Sequence, residues 1–319
     1  MYHKLKSTQT IKDAKTVLIS KRCDIQLTNP QNFNIKIDNK RILMYNSKTI
    51  KIRRSKLISN MNIIFWNTNR KKECNKNIVN LIKQNNCDII VLAEYCDDKD
   101  ELINELYYSG DEYKTLKKVD CKKIDIILKS EIKINTNIET YNYIGCCVKR
   151  GKFEFELFAT HLASQMFASV IDRLAPSRAL KCDIDRYKNA VVVGDFNSNP
   201  FDTNMMGVSH LSALPNKKCP ERIFQKTTYK SLYNPMWKFF GDFEDFPGTY
   251  YCNNGKEENY YWYIFDQVLL SKNIVKVFDK NSLKIVQKIN EINLIKNGKI
   301  DTDISDHLPI FFSLKEEEK

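Results

Sequence analysis

The stretch Ala190–Pro200, AVVVGDFNSNP, constrains this chain more than any other. Four small or β-branched apolar residues, Ala190 to Val193, have the composition of a short buried strand. Gly194 then frees the backbone. Asp195 and Asn197, two apart in an extended chain, put a carboxylate and an amide on the same side. Oxygen donors fixed at the end of a rigid strand can hold a water, a metal ion or a phosphate. Asp and Asn also end strands simply as turn formers. The stretch gains weight because other apolar strands of the chain end in the same way.

Asn62–Trp66 (NIIFW) reads as a strand that runs into Asn67-Thr68-Asn69. Cys87–Ala93 is nearly all apolar, as suits a sheet covered on both faces, and it ends in Glu94. Tyr141–Val148 and Phe153–Thr160 read as a hairpin whose second strand leads straight into His161. Ile264–Leu270 is a strand containing Asp266, and Ser305-Asp306-His307-Leu308-Pro309 precedes the last strand, Ile310–Leu314. A further strand is expected at Ile124–Leu128. Helices are expected over 73–86 and 98–108, and over 167–188 with an interruption at Pro176. Residues 201–260 read as a loop region rich in Pro, Gly, Asn and aromatics, and 274–286 show strand-like alternation. Open α/β sheets gather ligands at strand carboxyl ends. Asn67, Glu94, His161, Asp195, Asn197, Asp266, Asp306 and His307 are therefore expected to converge on one crevice.

The chain of 319 residues suffices for one large domain or two ordinary ones. Its ten cysteines include no CxxC pair, which argues against a zinc ribbon and for reduced thiols in a cytoplasmic protein. No apolar run resembles a signal peptide or reaches the length of a membrane span. The net charge of +12 is unevenly placed. Residues 1–60 carry 14 Lys and Arg against three Asp, which leaves 37 basic and 36 acidic groups in the rest of the chain. Such an asymmetry suits an amino-terminal piece that meets an anionic partner, or a solvated basic extension with none. Within it, FNIKI (33–37), RILMY (41–45) and TIKIRR (49–54) are separated by turn-forming residues, so a small three-stranded meander is expected. The division is thus a basic, β-rich extension over 1–60 and a catalytic domain over 61–319.

Glu94, Asn67 and Asp306 supply hard oxygen donors, which suit Mg²⁺ or Mn²⁺ better than zinc. Only four histidines exist in the chain, and two stand among the strand-end residues, free for proton transfer and charge stabilisation. The inventory fits metal-assisted hydrolysis of a phosphate ester. Singly, Asn67 reads as a turn residue and Glu94 as the first residue of a loop. A carboxylate within FDQVLLS is harder to dismiss, because Asp266 among apolar strand residues needs a partner.

The ordered set W-N (Trp66-Asn67), A-E (Ala93-Glu94), T-H-L (160–162), G-D-F-N (194–197), F-D-Q-V (265–268) and S-D-H-L-P (305–309) resembles the endonuclease/exonuclease/phosphatase superfamily. The resemblance spans residues 61 to about 315. It implies a four-layer αββα sandwich, with two mixed β-sheets face to face and helices outside. It also implies Glu94 as principal metal ligand with Asn67 beside it, and Asp306 at a metal or acid–base position. Asp195 and Asn197 match the pair that activates the attacking water and binds phosphate. His307 resembles the histidine on the scissile phosphate, and His161 a second one with Asp266 as its carboxylate partner. Which of Asp195 and His307 takes the proton stays open at this point. Asn69 matches the abasic-endonuclease branch, whereas Ala93 before the metal Glu and the T-H-L histidine depart from it.

The resemblance thus implies a Mg²⁺- or Mn²⁺-dependent phosphodiester hydrolase, with a nuclease acting on DNA or RNA expected first. The alternatives are a phosphatase or phosphodiesterase of a small phosphorylated metabolite or lipid head group, and an inactive binding member. Aromatics concentrated between Tyr229 and Phe265 can stack on unpaired bases, although most are expected to pack the loop region. Protein partners are not indicated by any motif.

Overall fold

The structure, a computed structural model, describes residues 2–4, 34–38, 41–45, 60–164, 170–240, 248–253, 255 and 259–316. The chain divides into two compact units, Met1–Ile58 and Ser59–Lys319. In the first, Asn34–Asp38 pairs antiparallel with both Arg41–Tyr45 and Tyr2–Lys4. Two of the three expected alternating runs are therefore paired strands. The third, 49–54, lies outside the described residues, and Tyr2–Lys4 is the third strand of the observed sheet.

The second unit is built on two large mixed sheets. One contains β1 (Asn60–Asn67), β2 (Ile89–Ala93), β3 (Tyr113–Thr115) and β4 (Ile124–Lys129). The other contains β5 (Lys133–Glu139), β6 (Tyr143–Arg150), β7 (Phe153–His161) and β8 (Ala190–Asp195). The short β9 (Ala213–Leu214) and β10 (Leu232–Tyr233) and the longer β11 (Asp266–Leu270) extend the second sheet. The first is completed by β12 (Phe278–Ile285) and β13 (Ile310–Lys315). Strand order is β12-β13-β1-β2-β4-β3 in the six-stranded sheet and β9-β10-β11-β8-β7-β6-β5 in the seven-stranded one. Helices α1 (Asn75–Gln84) and α2 (Lys99–Tyr108) follow β1 and β2, and α3 (Val170–Ile184) follows β7.

Period-two alternation on β8 shows why the sheets stack. Val191 and Val193 enter the larger core, together with Ile63, Phe65 and Val91 of the other sheet. Ala190 and Val192 face a smaller core with Leu180 and Ile184 of α3. Successive side chains point to opposite faces, so one all-apolar strand serves both the sheet beneath it and the helix above it. The result is the αββα sandwich. Gly194 is obligatory in this packing, because a Cβ there would lie 2.0 Å from the Thr160 carbonyl oxygen of β7.

Several expectations need correction. Residues 201–260 contain strands and a short 3₁₀ helix, Pro235–Phe239, rather than loop alone. Residues 274–286 begin as a helical turn, Ile274–Val277, before β12. Pro176 lies inside α3 without interrupting it. One lost hydrogen bond there is outweighed by the burial of Leu180 and Ile184. None of the described cysteines is in a disulfide. No helix among the described residues is long and apolar enough to cross a membrane.

Candidate active site

Strand register brings the polar strand ends together. β7 runs parallel to β8 with His161 opposite Asp195, and β11 runs antiparallel to β8 with Asp266 opposite Asp195. His161, Asp195 and Asp266 therefore form a row across one sheet. On the other sheet β1 and β2 are parallel with Asn67 opposite Ala93, so Glu94 follows directly beside Asn67. His307 precedes β13 and reaches the same edge. Its carbonyl accepts the Trp66 indole N–H at 3.0 Å, and its backbone N–H donates to Ser305 Oγ at 3.1 Å. Ser305 in turn donates to the Asn67 carbonyl at 2.7 Å. These bonds tie the S-D-H turn to the end of β1.

Asp195 is the hub. Its Oδ1 accepts the Asn197 N–H at 2.8 Å, and its Oδ2 accepts Asn67 Nδ2 at 3.1 Å. Asn197 is held by a bond from its Nδ2 to the Leu162 carbonyl at 3.0 Å. His307 Nδ1 lies 2.8 Å from Asp266 Oδ2, and its Nε2 lies 3.9 Å from both Asp195 Oδ2 and Asp306 Oδ1. Burial opposes a charged His307. The surrounding Asp266, Asp195 and Asp306 carboxylates outweigh it and raise the imidazole above its ordinary range. Burial pushes the Asp266 carboxyl up while the imidazolium draws it back. Three carboxylates face the ring, so the shared proton belongs on His307 Nδ1.

Glu94 closes the other side. Its Oε1 accepts His161 Nε2 at 3.0 Å, and its Oε2 lies 3.1 Å from Arg70 Nε. The His161 hydrogen bond and nearby positive charges outweigh partial burial and lower its pKa to about 2. Glu94, Asn197, Asn69 and Arg70 all adopt left-handed backbone, with φ of 50°, 48°, 49° and 53°. For residues other than Gly or Asn this costs about 1–2 kcal/mol, and such strain clusters at functional sites.

Metal fit rests on unspent oxygen capacity. Asp306 Oδ1 is buried and lacks a hydrogen-bond partner among the described residues, which is costly unless a cation or water takes it. Burial raises the Asp306 carboxyl, and a cation would reverse that bias. Asn67 Oδ1 accepts the Asn69 N–H at 2.9 Å and keeps a second lone pair. Glu94, Asn67 and Asp306 thus make an all-oxygen set suited to a hard divalent ion. Asp195, Asp266 and His307 also offer ligand atoms within 4.8 Å of one another. In that trio Asp266 Oδ2 and His307 Nδ1 already bond each other, so it is better built to hold a proton.

One expected pairing is corrected. Asp266 partners His307, not His161, because β11 sits on the far side of β8 from β7. His161 instead bonds Glu94, and its Nδ1 has no partner among the described residues. Asn69 contributes its backbone to orient Asn67. Sequence reasoning missed Arg70, for which no local pattern speaks, and the tie from Ser305 to the end of β1. Of the aromatic stretch between Tyr229 and Phe265, Tyr250 is the ring that lies 4.7 Å from that of His307.

The model of the Endonuclease/Exonuclease/phosphatase family matches residues 64–307. No curated protein matches the sequence. Among solved structures, D. rerio TDP2 humanised by 14 mutations is similar, with a TM-score of 0.53 at 15% identity over 81% of this chain and 99% of that one. D. rerio TDP2 complexed with single strand DNA product gives 0.49 at 17% identity, over 80% of this chain and 98% of that one. A variant of the 3′ phosphatase NExo from Neisseria, bound to a product DNA hairpin, gives 0.49 at 14%, over 80% and 99%. At such identities the first of these speaks for the fold.

Proposed function

Since this chain belongs to the endonuclease/exonuclease/phosphatase family, we propose that its second unit is a divalent-metal-dependent phosphodiester hydrolase acting on nucleic acid. The observation that carries the reading is the convergence of Glu94, Asn67, Asp195, His307 and Asp266 from two sheets onto one edge. Glu94, Asn67 and Asp306 would hold Mg²⁺ or Mn²⁺. Such an ion supplies Lewis-acid polarisation of a phosphoryl oxygen and offsets developing negative charge. Asp195, fixed through both oxygens, accepts the proton of the attacking water. His307 carries its proton already, so Nε2 donates to a non-bridging phosphoryl oxygen rather than acting as base. Asp266 orients that ring and keeps it charged. His161 holds the Glu94 carboxylate in place, and the Asn197 backbone N–H holds Asp195 Oδ1. Attack joins the water oxygen to phosphorus as the ester P–O bond breaks, and the leaving oxygen departs with the bonding pair and takes its proton from solvent.

The test is a panel of single-stranded and duplex DNA, RNA and phosphorylated small molecules, each with Mg²⁺, with Mn²⁺ and with chelator. Metal-dependent cleavage of nucleic acid is expected. Undiminished activity in excess chelator contradicts the metal assignment. Turnover confined to small phosphates favours the second reading, a metabolite or head-group phosphoesterase, which the near-neutral charge of residues 61–319 recommends.

The basic first unit supplies a prediction of its own. If it contacts backbone phosphates, each one neutralised adds roughly 0.7 to 0.9 to the slope of log affinity against log salt. Replacing Lys51, Arg53, Arg54 and Lys56 by Gln in the full chain should weaken nucleic-acid binding and flatten that slope. An unchanged slope in a folded variant would refute a role for this unit in binding.

A further inference from the structure

The site continues into a line of aromatic rings that the hydrolytic machinery does not use. From His307, ring centroids step 4.7 Å to Tyr250, 6.3 Å to Tyr263, 5.9 Å to Tyr260 and 5.7 Å to Phe201. Phe240 adjoins Phe201 at 5.5 Å. The inner rings are packed: Tyr263 is 8% exposed, and Tyr250 stacks at 21° on Phe265, next to Asp266. The outer rings are open to solvent, with Phe201 39% and Tyr260 56% exposed.

Placement makes this more than scattered surface apolarity. Phe201 lies four residues beyond Asn197, and Tyr260 lies six before Asp266, so both loops leave the catalytic row. The connection is pinned where they meet: Asn199 Oδ1 accepts the Ile264 N–H at 3.0 Å, and Gln267 Nε2 donates to the Ser198 carbonyl at 2.6 Å. The Phe201–Tyr260 contact is T-shaped, with an interplanar angle of 66°. That geometry fixes the ring planes without stacking one upon the other, which leaves π surface for a ligand.

We propose that Phe201 and Tyr260 form a stacking shelf for an unpaired base one or more nucleotides along the strand from the phosphate bound at His307, and so direct the enzyme to single-stranded or frayed nucleic acid. This deepens the nucleic-acid reading above and rests on it. An exposed aromatic offers every base the same π contact but reaches only bases that are not already stacked in a duplex. The charge balance agrees. Residues 61–319 are nearly neutral and so supply little of the phosphate attraction that dominates duplex binding. Contact with individual bases is the grip left to this unit.

The test uses the full-length protein and oligonucleotides of one sequence, offered as single strand and as duplex. Wild type should show the lower KM on single strand. Phe201→Ala and Tyr260→Ala should each raise that KM by about tenfold and erode the preference over duplex. Phe201→Trp and Tyr260→Phe, which keep a ring, should retain it. Single strands bearing a fluorescent base analogue at successive positions out from the scissile phosphate should include one that is quenched by wild type and less by the Ala variants. Thermal unfolding of each variant verifies that these exposed positions do not support the fold. Unchanged KM and quenching in the Ala variants, or a wild type that prefers duplex, would overturn the shelf while leaving nucleic acid as substrate. A wild type that cuts no oligonucleotide overturns both.

Discussion

Glu94→Gln is expected to lower turnover by about a thousandfold or more, the scale of several kcal/mol of metal-derived charge stabilisation. The substitution keeps shape and hydrogen-bonding reach but removes the charge. Glu94 holds that charge firmly, because the His161 hydrogen bond and the Arg70 guanidinium both favour its ionised form. Its partly exposed side chain also presents the carboxylate toward the open edge of the site. Two readouts separate loss of metal from loss of fold. Calorimetric titration with Mn²⁺ should show weakened binding, and the Mg²⁺-dependent rise in thermal midpoint should shrink accordingly. The metal-free variant should still unfold cooperatively. A variant that keeps wild-type turnover, or binds Mn²⁺ as tightly as the parent, would remove Glu94 from the ligand set.

The fold was legible where strands carry long apolar runs. Asn60–Asn67, Ile89–Ala93, Phe153–His161 and Ala190–Asp195 lie within a few residues of the expected runs; all-apolar strands such as Ile89–Ala93 are at home only in a covered sheet. Lys133–Glu139 went unread. It is an outer strand, KINTNIE, with mostly half-buried or exposed side chains, and polar edges carry no periodic signal. Ala213–Leu214 and Leu232–Tyr233 are too short to announce themselves, and they join the sheet only through neighbours distant in sequence.

At the site, residue types were readable and pairings were not. Asp266 visibly needed a partner, but choosing between His161 and His307 requires strand order and register. Those are set by which strands lie either side of β8, a long-range property absent from any local window. The left-handed backbone at Glu94 and Asn197 was equally hidden. No glycine marks it, and in Glu94 the strain is held by packing at the end of an all-apolar strand rather than by residue preference. Arg70 reaches Glu94 across such a turn.

Asp195→Asn and His307→Ala should each lower turnover by at least roughly a hundredfold, and their combination should cost far less than the product of the two. Asp195 gives the pair its meaning. Its Oδ1 is committed to Asn197, and its Oδ2 faces Asn67 at 3.1 Å and His307 Nε2 at 3.9 Å. An amide at this position cannot take the proton of the attacking water. In the proposed mechanism, removing His307 takes away the cation that would face the transferring phosphoryl group, and it leaves Asp266, fully buried, without its imidazolium. On the proposed mechanism both changes act on one transition state, in which proton acceptance at Asp195 and charge stabilisation by His307 coincide. Once either is lost, the other has little left to stabilise. The expected signature is therefore a double variant only modestly slower than the worse single one, measured as kcat on one saturating substrate. Asp266→Asn adds a distinguishing arm. It keeps a hydrogen-bond acceptor beside Nδ1 but removes the charge that keeps the ring protonated, so the alkaline fall in turnover should begin at lower pH than in wild type. Losses from Asp195→Asn and His307→Ala that multiply in full would mean that the two residues serve separate steps, and the shared proton arrangement at this edge would have to be abandoned.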